Sequence, residues 1–209
     1  MDLLDKCRIA DLLFLRRASH HRIGYSSATH VPGFWTALTD VTGDFGIWTD
    51  HRIPQDRSAW HPMVRRFYDY WISAAPPARL PGRQHIAPED LIPLLPHLWL
   101  LDVYRDPLRF RYRLVGTSVV KSLRRELTGQ WLDEVQPESV SNPALRDRYR
   151  FVAETGRPTW RHGPTLWERD PVHRAVENCF VPLAANGETV DKIFAMGVIF
   201  GINGQEIRL

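Results

Sequence analysis

The chain has 209 residues, 44% of them apolar, which suits one globular core with an appendage. Its net charge is only +3, and acidic residues are interspersed among the basic ones, a pattern that argues against a dedicated nucleic-acid binder. No apolar run approaches the ~18 residues of a membrane span, and the first residues are acidic, the reverse of a secretory signal.

Residues 1–58 are predicted to be a separate, poorly patterned N-terminal extension. Positions 3–16 can form an apolar-faced helix, whereas the following stretch keeps no helical or strand period. That stretch nevertheless carries Trp35, Phe45 and Trp48. It is therefore either a flexible arm or a docking segment, and the absence of periodicity favours the arm.

Order begins at "HPMVRRFYDYW", where Pro62 suits a first helical position. A helix is predicted because apolar residues recur at helical spacing along one stripe: Val64, Phe67, Tyr68 and Trp71. The proline-punctuated segment that follows predicts one short helix near 88–95 between two turns.

A β-hairpin is predicted next, with strands at about 97–104 and 109–116 joined at Asp106-Pro107. In the second strand, alternation turns Phe110, Tyr112 and Leu114 to one face. Three arginines occupy the other face. We interpret them as protection of an edge strand against unwanted pairing, with an anion-binding ridge as the alternative.

The stretch "GTSVVKSLRRELTG" predicts a short helix after Gly116, capped by Thr117 or Ser118 and closed at Gly129. Its buried face is expected to contain Val119, Val120, Leu123 and Leu127.

The remaining pattern predicts one long helix and three strands. The helix runs from a cap at Asn142, through a stripe of Leu145, Tyr149 and Val152, to Gly156. The strands lie at about 158–167, 173–183 and 190–201. Two strands, then helices, then three strands predict an α+β fold with an antiparallel sheet, and a small-molecule site between sheet and helices.

Four pieces of this chain, in order, resemble a PAS domain. They are "RFYDYW", "IAPEDLIPLLPHLWLLDV", "FRYRLVGT" with its helix followed by "LTG" and "LDE", and "YRFVAETGRP". More narrowly, they resemble the bacterial single-PAS-domain family common in alphaproteobacteria and long catalogued as a domain of unknown function. The resemblance implies a five-stranded antiparallel sheet with helices packed on one face, over residues 59–203. It also implies a sensory or docking role, and an edge position for the second strand.

The resemblance leaves the cofactor unknown. Haem-binding PAS domains use a histidine on the long helix or the adjoining segment, and residues 142–156 contain none. Flavin-linking PAS domains use a cysteine in an Asn-Cys-Arg helix motif. Here Asn178-Cys179 lies on a predicted strand before Phe180, so neither haem nor covalently linked flavin is supported.

No catalytic or metal-binding pattern stands out. Cys7 and Cys179 have no zinc spacing, which makes a reduced cytoplasmic chain the expectation, and no two histidines fall on one predicted element. We interpret His97 as a structural residue rather than a catalytic base, because the sequence identifies no catalytic partner for it. The rival enzymatic hypothesis, a cone-shaped α+β enzyme with one buried aspartate base, lacks a convincing acid or base in the predicted cavity.

We therefore expect a non-catalytic, cytoplasmic sensory or protein-interaction module that signals through a protein partner or a homodimer. Residues 3–16 are the segment that we expect to make this contact. The alternatives are a small-molecule enzyme, and an anion or nucleic-acid binder using Arg109, Arg111, Arg113, Arg124 and Arg125. Strand and helix faces nominate a ligand pocket, with core packing as the competing interpretation. The nominated residues are Tyr112, Leu114, Val120, Leu123, Trp131, Phe151, Phe180 and Met196.

Overall fold

The computed structural model describes residues 48–49, 53, 57–137, 143–165, 173–201 and 203–207. The helix predicted at 3–16, the cap at Asn142 and the end of the strand predicted at 158–167 fall outside these ranges. In chain order the elements are β1 (Trp48–Thr49), α1 (Pro62–Ala74), two 3-10 helices (Arg83–His85 and Pro88–His97), β2 (Leu98–Tyr104), β3 (Arg109–Val115), α2 (Thr117–Leu123), α3 (Leu132–Val135), α4 (Pro143–Thr155), β4 (Thr159–Pro164), β5 (His173–Leu183) and β6 (Lys192–Gly201).

The strands form one antiparallel sheet in the order β1-β4-β5-β6-β2-β3. Its five longer strands are those that the sequence predicted, which confirms the α+β, PAS-like fold. The two residues of β1 extend it, pairing Trp48 with Arg161 and Thr49 with Trp160. Within the described ranges, none of the helices has the length and apolar character needed to span a bilayer.

Helix α1 covers one face of the sheet with the stripe that its sequence predicted. Val64, Phe67, Tyr68 and Trp71 are all buried, and His61 caps the helix by accepting a 3.4 Å bond from the amide of Met63. The same face receives Leu91 and Leu94 from the second 3-10 helix, and Cys179 and Met196 from the sheet. The PAS resemblance placed helices on one face, and the structure adds α1 on the opposite face.

Helices α2, α3 and α4 lie over the other face. Leu145, Tyr149 and Val152 of α4 are buried there, as their spacing predicted, against Phe180 and Ile193 of the sheet. Both faces of the central strands are therefore covered. The strands β5 and β6 are accordingly buried along most of their length rather than at alternate positions.

Strand β3 lies at the sheet edge, as the PAS resemblance implied. The protective role of its arginines stays a prediction. Its alternation breaks at a β-bulge, because Leu100 pairs with Leu114 whereas Leu101 pairs with Tyr112. Arg113 is the extra residue. The bulge reverses the facing of later positions, so that Leu114 is 49% exposed and the prediction that it faces inward with Phe110 is wrong.

Helix α2 also differs from its prediction. Gly116 occupies the cap position, no side chain closes the first turn, and Arg124 ends the helix at φ 51°. Gly129, at φ 82°, belongs instead to a later turn. The residues that α2 buries most fully are Ser118 and Ser122, whereas Val119, Val120 and Leu123 are only partly buried.

Candidate functional site

A partly enclosed cavity lies between the sheet face of β2, β3, β5 and β6 and the helices α2 and α4. Its volume is about 80 Å³, well above the ~10–15 Å³ that a single water requires. The lining residues come from every element around it: His97, Trp99, Tyr112, Ser118, Val119, Ser122, Leu123, Gln136, Leu145, Arg148, Tyr149, Arg161, Val176, Asn178, Phe180, Gly197, Ile199 and Ile207.

Aromatic side chains form much of the apolar wall. Tyr149 stacks on Phe180 with ring centroids 5.0 Å apart, and Trp99 meets Phe180 edge-on at 5.8 Å. Tyr112 of β3 lies in the same cluster of buried residues. Such rings offer large, rigid apolar surfaces, and tyrosine and tryptophan also carry a polar atom for a ligand.

Arg148 is the main polar feature of the cavity and is 0% exposed. Its Nε donates to Oγ1 of Thr159 at 2.9 Å, and its Nη1 donates to Oδ1 of Asn178 at 2.6 Å. Nη2 donates longer bonds to the carbonyls of Thr159 and Asn178. The guanidinium carbon lies 3.8 Å from the ring centroid of Phe180. Every one of these partners is neutral.

Arg161 adds a second buried guanidinium to the cavity lining and donates to the carbonyl of Pro164. Burial lowers the pKa of Arg161 to about 10. Burial, and then repulsion from Arg161, lowers the pKa of Arg148 to about 9. Both groups therefore carry a positive charge at neutral pH. No aspartate or glutamate of the described residues lines the cavity beside them.

Helix α2 forms one side of the cavity with its two serines. Oγ of Ser122 donates to the carbonyl of Ser118 at 2.7 Å, within the helix. Each hydroxyl oxygen retains acceptor capacity. The helix thus presents two small polar side chains beside Val119 and Leu123, two of the apolar residues that the sequence placed on its buried face.

His97 lines the cavity at the end of the second 3-10 helix. Desolvation lowers the pKa of His97, although the carboxylate of Glu206 and the backbone of Gly197 act in the opposite direction. Burial therefore favours the neutral form of the ring. Among the described residues, no group of three or more His, Cys, Asp or Glu is placed to hold a metal ion.

Three of the eight residues nominated from the sequence line the cavity: Tyr112, Leu123 and Phe180. Leu114 points to solvent because of the bulge. Met196 packs in the core beneath α1 instead, because alternation along β6 directs Gly197 toward the cavity and its neighbour to the other face.

The other three nominated residues do not belong to the cavity lining. Val120 is half-buried and does not line the cavity, whereas its neighbour Val119 does. Phe151 packs on the flank of the core cluster. Trp131 covers the edge strand, with the guanidinium carbon of Arg109 4.1 Å from its ring centroid.

Sequence reasoning missed the two buried arginines. A signal existed for Arg148, which stands three residues after Leu145 and therefore on the apolar stripe of α4. A charged residue on a buried stripe indicates a paired or functional group. Arg161 gave no comparable signal, because it lies on a short strand without a continuous apolar stripe.

Cys179 lies on the sheet face opposite the cavity, in the core under α1. Burial raises the pKa of its thiol to about 12, which makes it an unreactive core residue. The thiol does not face the cavity.

Three comparisons with known proteins were informative to different degrees. Among solved structures, an RNA-binding light-oxygen-voltage receptor is similar, at a TM-score of 0.43 and 12% identity over 80% of this chain. This chain spans 42% of that receptor chain. No curated protein matches. The family model described as "PAS domain" matches residues 59–198, more than half of the sequence. The chain therefore belongs to the PAS domain family.

Proposed function

We propose that this protein is a sensory PAS module that binds a small organic molecule between its sheet and helices α2 and α4. The bound state is read by another protein or by a second copy of the chain, and the module carries out no chemistry of its own. The observation that carries this proposal is the cavity, in which an aromatic wall adjoins two buried cationic side chains. Cavities of this mixed character are typical of small-molecule sites.

Helix α2 is the element best placed to report occupancy. Its Ser118 and Ser122 line the cavity, whereas Lys121 on the other side is exposed. The amide of Gly116, just before the helix, donates a 2.7 Å bond to the carbonyl of Leu98. A ligand that moves α2 therefore also pushes on the start of β2 and on the 3-10 helix before it.

The enzymatic alternative has little support from the lining. His97 is the one histidine that lines the cavity in the described part of the chain, and no carboxylate of the described residues lines the cavity beside it. Proton transfer chemistry usually needs such a partner to orient or recharge the base.

The hypothesis of an anion or nucleic-acid binder is weakened because three of its five arginines bind other groups of this protein. Arg109 is held by Asp133 at 2.8 Å and by Glu134 at 3.0 Å. Arg111 donates to the carbonyl of Gly129, and Arg125 donates to Gln130. These three side chains are engaged within the protein and are less available to an external anion. A nucleic-acid affinity that falls steeply with salt concentration would support the alternative again.

The compartment and the partner stay predictions. We propose a cytoplasmic location because the two cysteines are widely separated in sequence. We propose residues 3–16 as the segment that contacts the partner.

Native mass spectrometry of the full chain tests the proposal, with the denatured mass as control. We expect a fraction of the protein to carry an extra mass that disappears on denaturation. A bare chain that also shows no thermal shift with any member of a metabolite library would contradict a ligand-sensing role.

A further inference from the structure

The chemical class of the ligand can be inferred from the charge inside the cavity, an inference that rests on the proposed function. Arg148 is wholly buried and its hydrogen-bond acceptors are an amide oxygen, a hydroxyl and two carbonyls. These acceptors satisfy the geometry of the guanidinium but supply no negative charge. A buried cation ordinarily has a counter-ion, because an unneutralised charge is costly to desolvate.

The donor capacity of Arg148 is not exhausted by these bonds. A guanidinium has five N–H groups, and the bonds to Thr159 and Asn178 use one on Nε, one on Nη1 and two on Nη2. The second N–H of Nη1 has no acceptor among the described residues. Arg148 can therefore make one further charge-assisted bond, which would be short and strong with an anionic oxygen.

Among the described lining residues, Arg161 carries the same sign of charge as Arg148. Arg161 is 1% exposed and lies close enough to Arg148 to lower its pKa. A negative group beside Arg148 would offset the repulsion from Arg161 and neutralise the charge of Arg148. The hydroxyls of Ser118 and Ser122 add polar atoms to the lining from helix α2.

We propose that the ligand is a small organic carboxylate, with its carboxylate on Arg148 beside Arg161 and its apolar body against Trp99, Tyr112 and Phe180. The volume of about 80 Å³ is smaller than the ~300–1,000 Å³ of pockets for drug-sized ligands, so the apolar body has to be small. A single negative charge matches the one unused N–H of Arg148 better than the dianion of a phosphate ester, which requires several donors.

Isothermal titration of the full chain with two matched pairs of probes tests this inference. The pairs are phenylacetate against phenylacetamide, and hexanoate against hexanamide. Each pair keeps the shape of the ligand and changes its charge. We expect the carboxylate of at least one pair to bind about tenfold or more tightly than its amide, because the amide leaves the cation without a counter-ion.

Two variants locate the binding group. Arg148→Met is expected to abolish this preference, whereas Arg150→Met, an exposed position on the same helix, leaves it unchanged. If Arg148→Met does not fold, Asn178→Asp serves instead. It places an internal carboxylate on the guanidinium, and we expect carboxylate affinity to fall about tenfold while amide affinity stays nearly constant.

The outcomes separate the inference from the proposed function. Amides that bind as well as or better than carboxylates would overturn the anionic ligand while leaving a small-molecule sensor in place. A co-purified ligand that proves to be neutral or cationic would do the same. Failure of all four probes overturns the inference, and a bare chain in the native mass spectrum would then remove the proposed function as well.

Discussion

Nη1 of Arg148 donates a 2.6 Å hydrogen bond to Oδ1 of Asn178, and thereby joins helix α4 to strand β5 inside the cavity. Because the acceptor is an amide rather than a carboxylate, the bond orients the guanidinium without neutralising it. A positive charge is thus held in a fixed position on the inner wall. This arrangement costs stability unless a ligand or another group offsets the charge.

The stability of two Asn178 variants measures that cost. Asn178→Ala removes the acceptor of a buried charged donor and should lower the free energy of unfolding by about 1.5–3 kcal/mol. Asn178→Asp keeps the shape and adds a counter-ion, and should raise the same quantity by about 1 kcal/mol at pH 7. Urea denaturation of the three proteins checks both values. Equal stabilities for the Asp variant and the parent would mean that the charge of Arg148 is already neutralised.

Filling the cavity from helix α2 should reduce ligand occupancy. Ser122→Leu places a larger side chain in the lining, whereas Val120→Leu enlarges a half-buried side chain on the same helix outside it. We expect the first variant to lose most of the extra mass in native mass spectrometry and the second to keep it. Equal retention by both would place the bound molecule elsewhere.

The junction between β3 and α2 should tolerate no side chain at Gly116. A Cβ there would fall well inside van der Waals distance of the carbonyl oxygens of Leu95 and Pro96, which are backbone atoms that cannot move aside independently. Gly116→Ala should therefore cost about 1–3 kcal/mol of unfolding free energy. Thr117→Ala, at the exposed neighbouring position, should change it by less than about 0.5 kcal/mol. A neutral Gly116→Ala variant would show that the 3-10 helix can shift.

The buried thiol of Cys179 should make stability fall at alkaline pH. Its pKa is raised from 9.0 to about 12, so above pH 9 the unfolded chain releases a proton that the native chain retains. The stabilisation is complete below pH 9 and declines by up to about 1.4 kcal/mol for each pH unit above it.

Denaturation of the parent and of Cys179→Ala between pH 8 and 10 isolates this contribution. The alanine variant should be less stable at pH 8, with the gap closing as the pH rises. Parallel pH profiles would indicate a thiol that ionises as readily in the native state as in the unfolded chain.

The edge of the sheet should depend on Arg109 more than on its neighbours. Arg109 contacts Asp133, Glu134 and the ring of Trp131, whereas Arg113 is the exposed bulge residue. We expect Arg109→Ala to melt at a lower temperature than Arg113→Ala in low salt. The difference should shrink in high salt, because exposed ion pairs are screened. Equal melting temperatures would mean that the edge is held by backbone bonds alone.

The sequence by itself determined the elements whose physics is local. The stripe from Val64 to Trp71 predicts α1, and that from Leu145 to Val152 predicts α4, because the helical period repeats apolar residues on one face. The strand pattern and its turns likewise predicted the antiparallel sheet. The edge position of β3 followed from the PAS resemblance and agreed with the arginines on one of its faces.

The tertiary structure alone decided which side chains meet. The bulge opposite Leu100 and Leu101 exposed Leu114, and no local signal marks a bulge whose extra residue is an arginine. Strand pairing assigned Met196 to the core under α1 and Gly197 to the cavity. Arg148 and Arg161 come from a helix and a strand, and Asn178 from a third element. Their convergence depends on long-range packing, so neither periodicity nor composition could reveal a buried positive site.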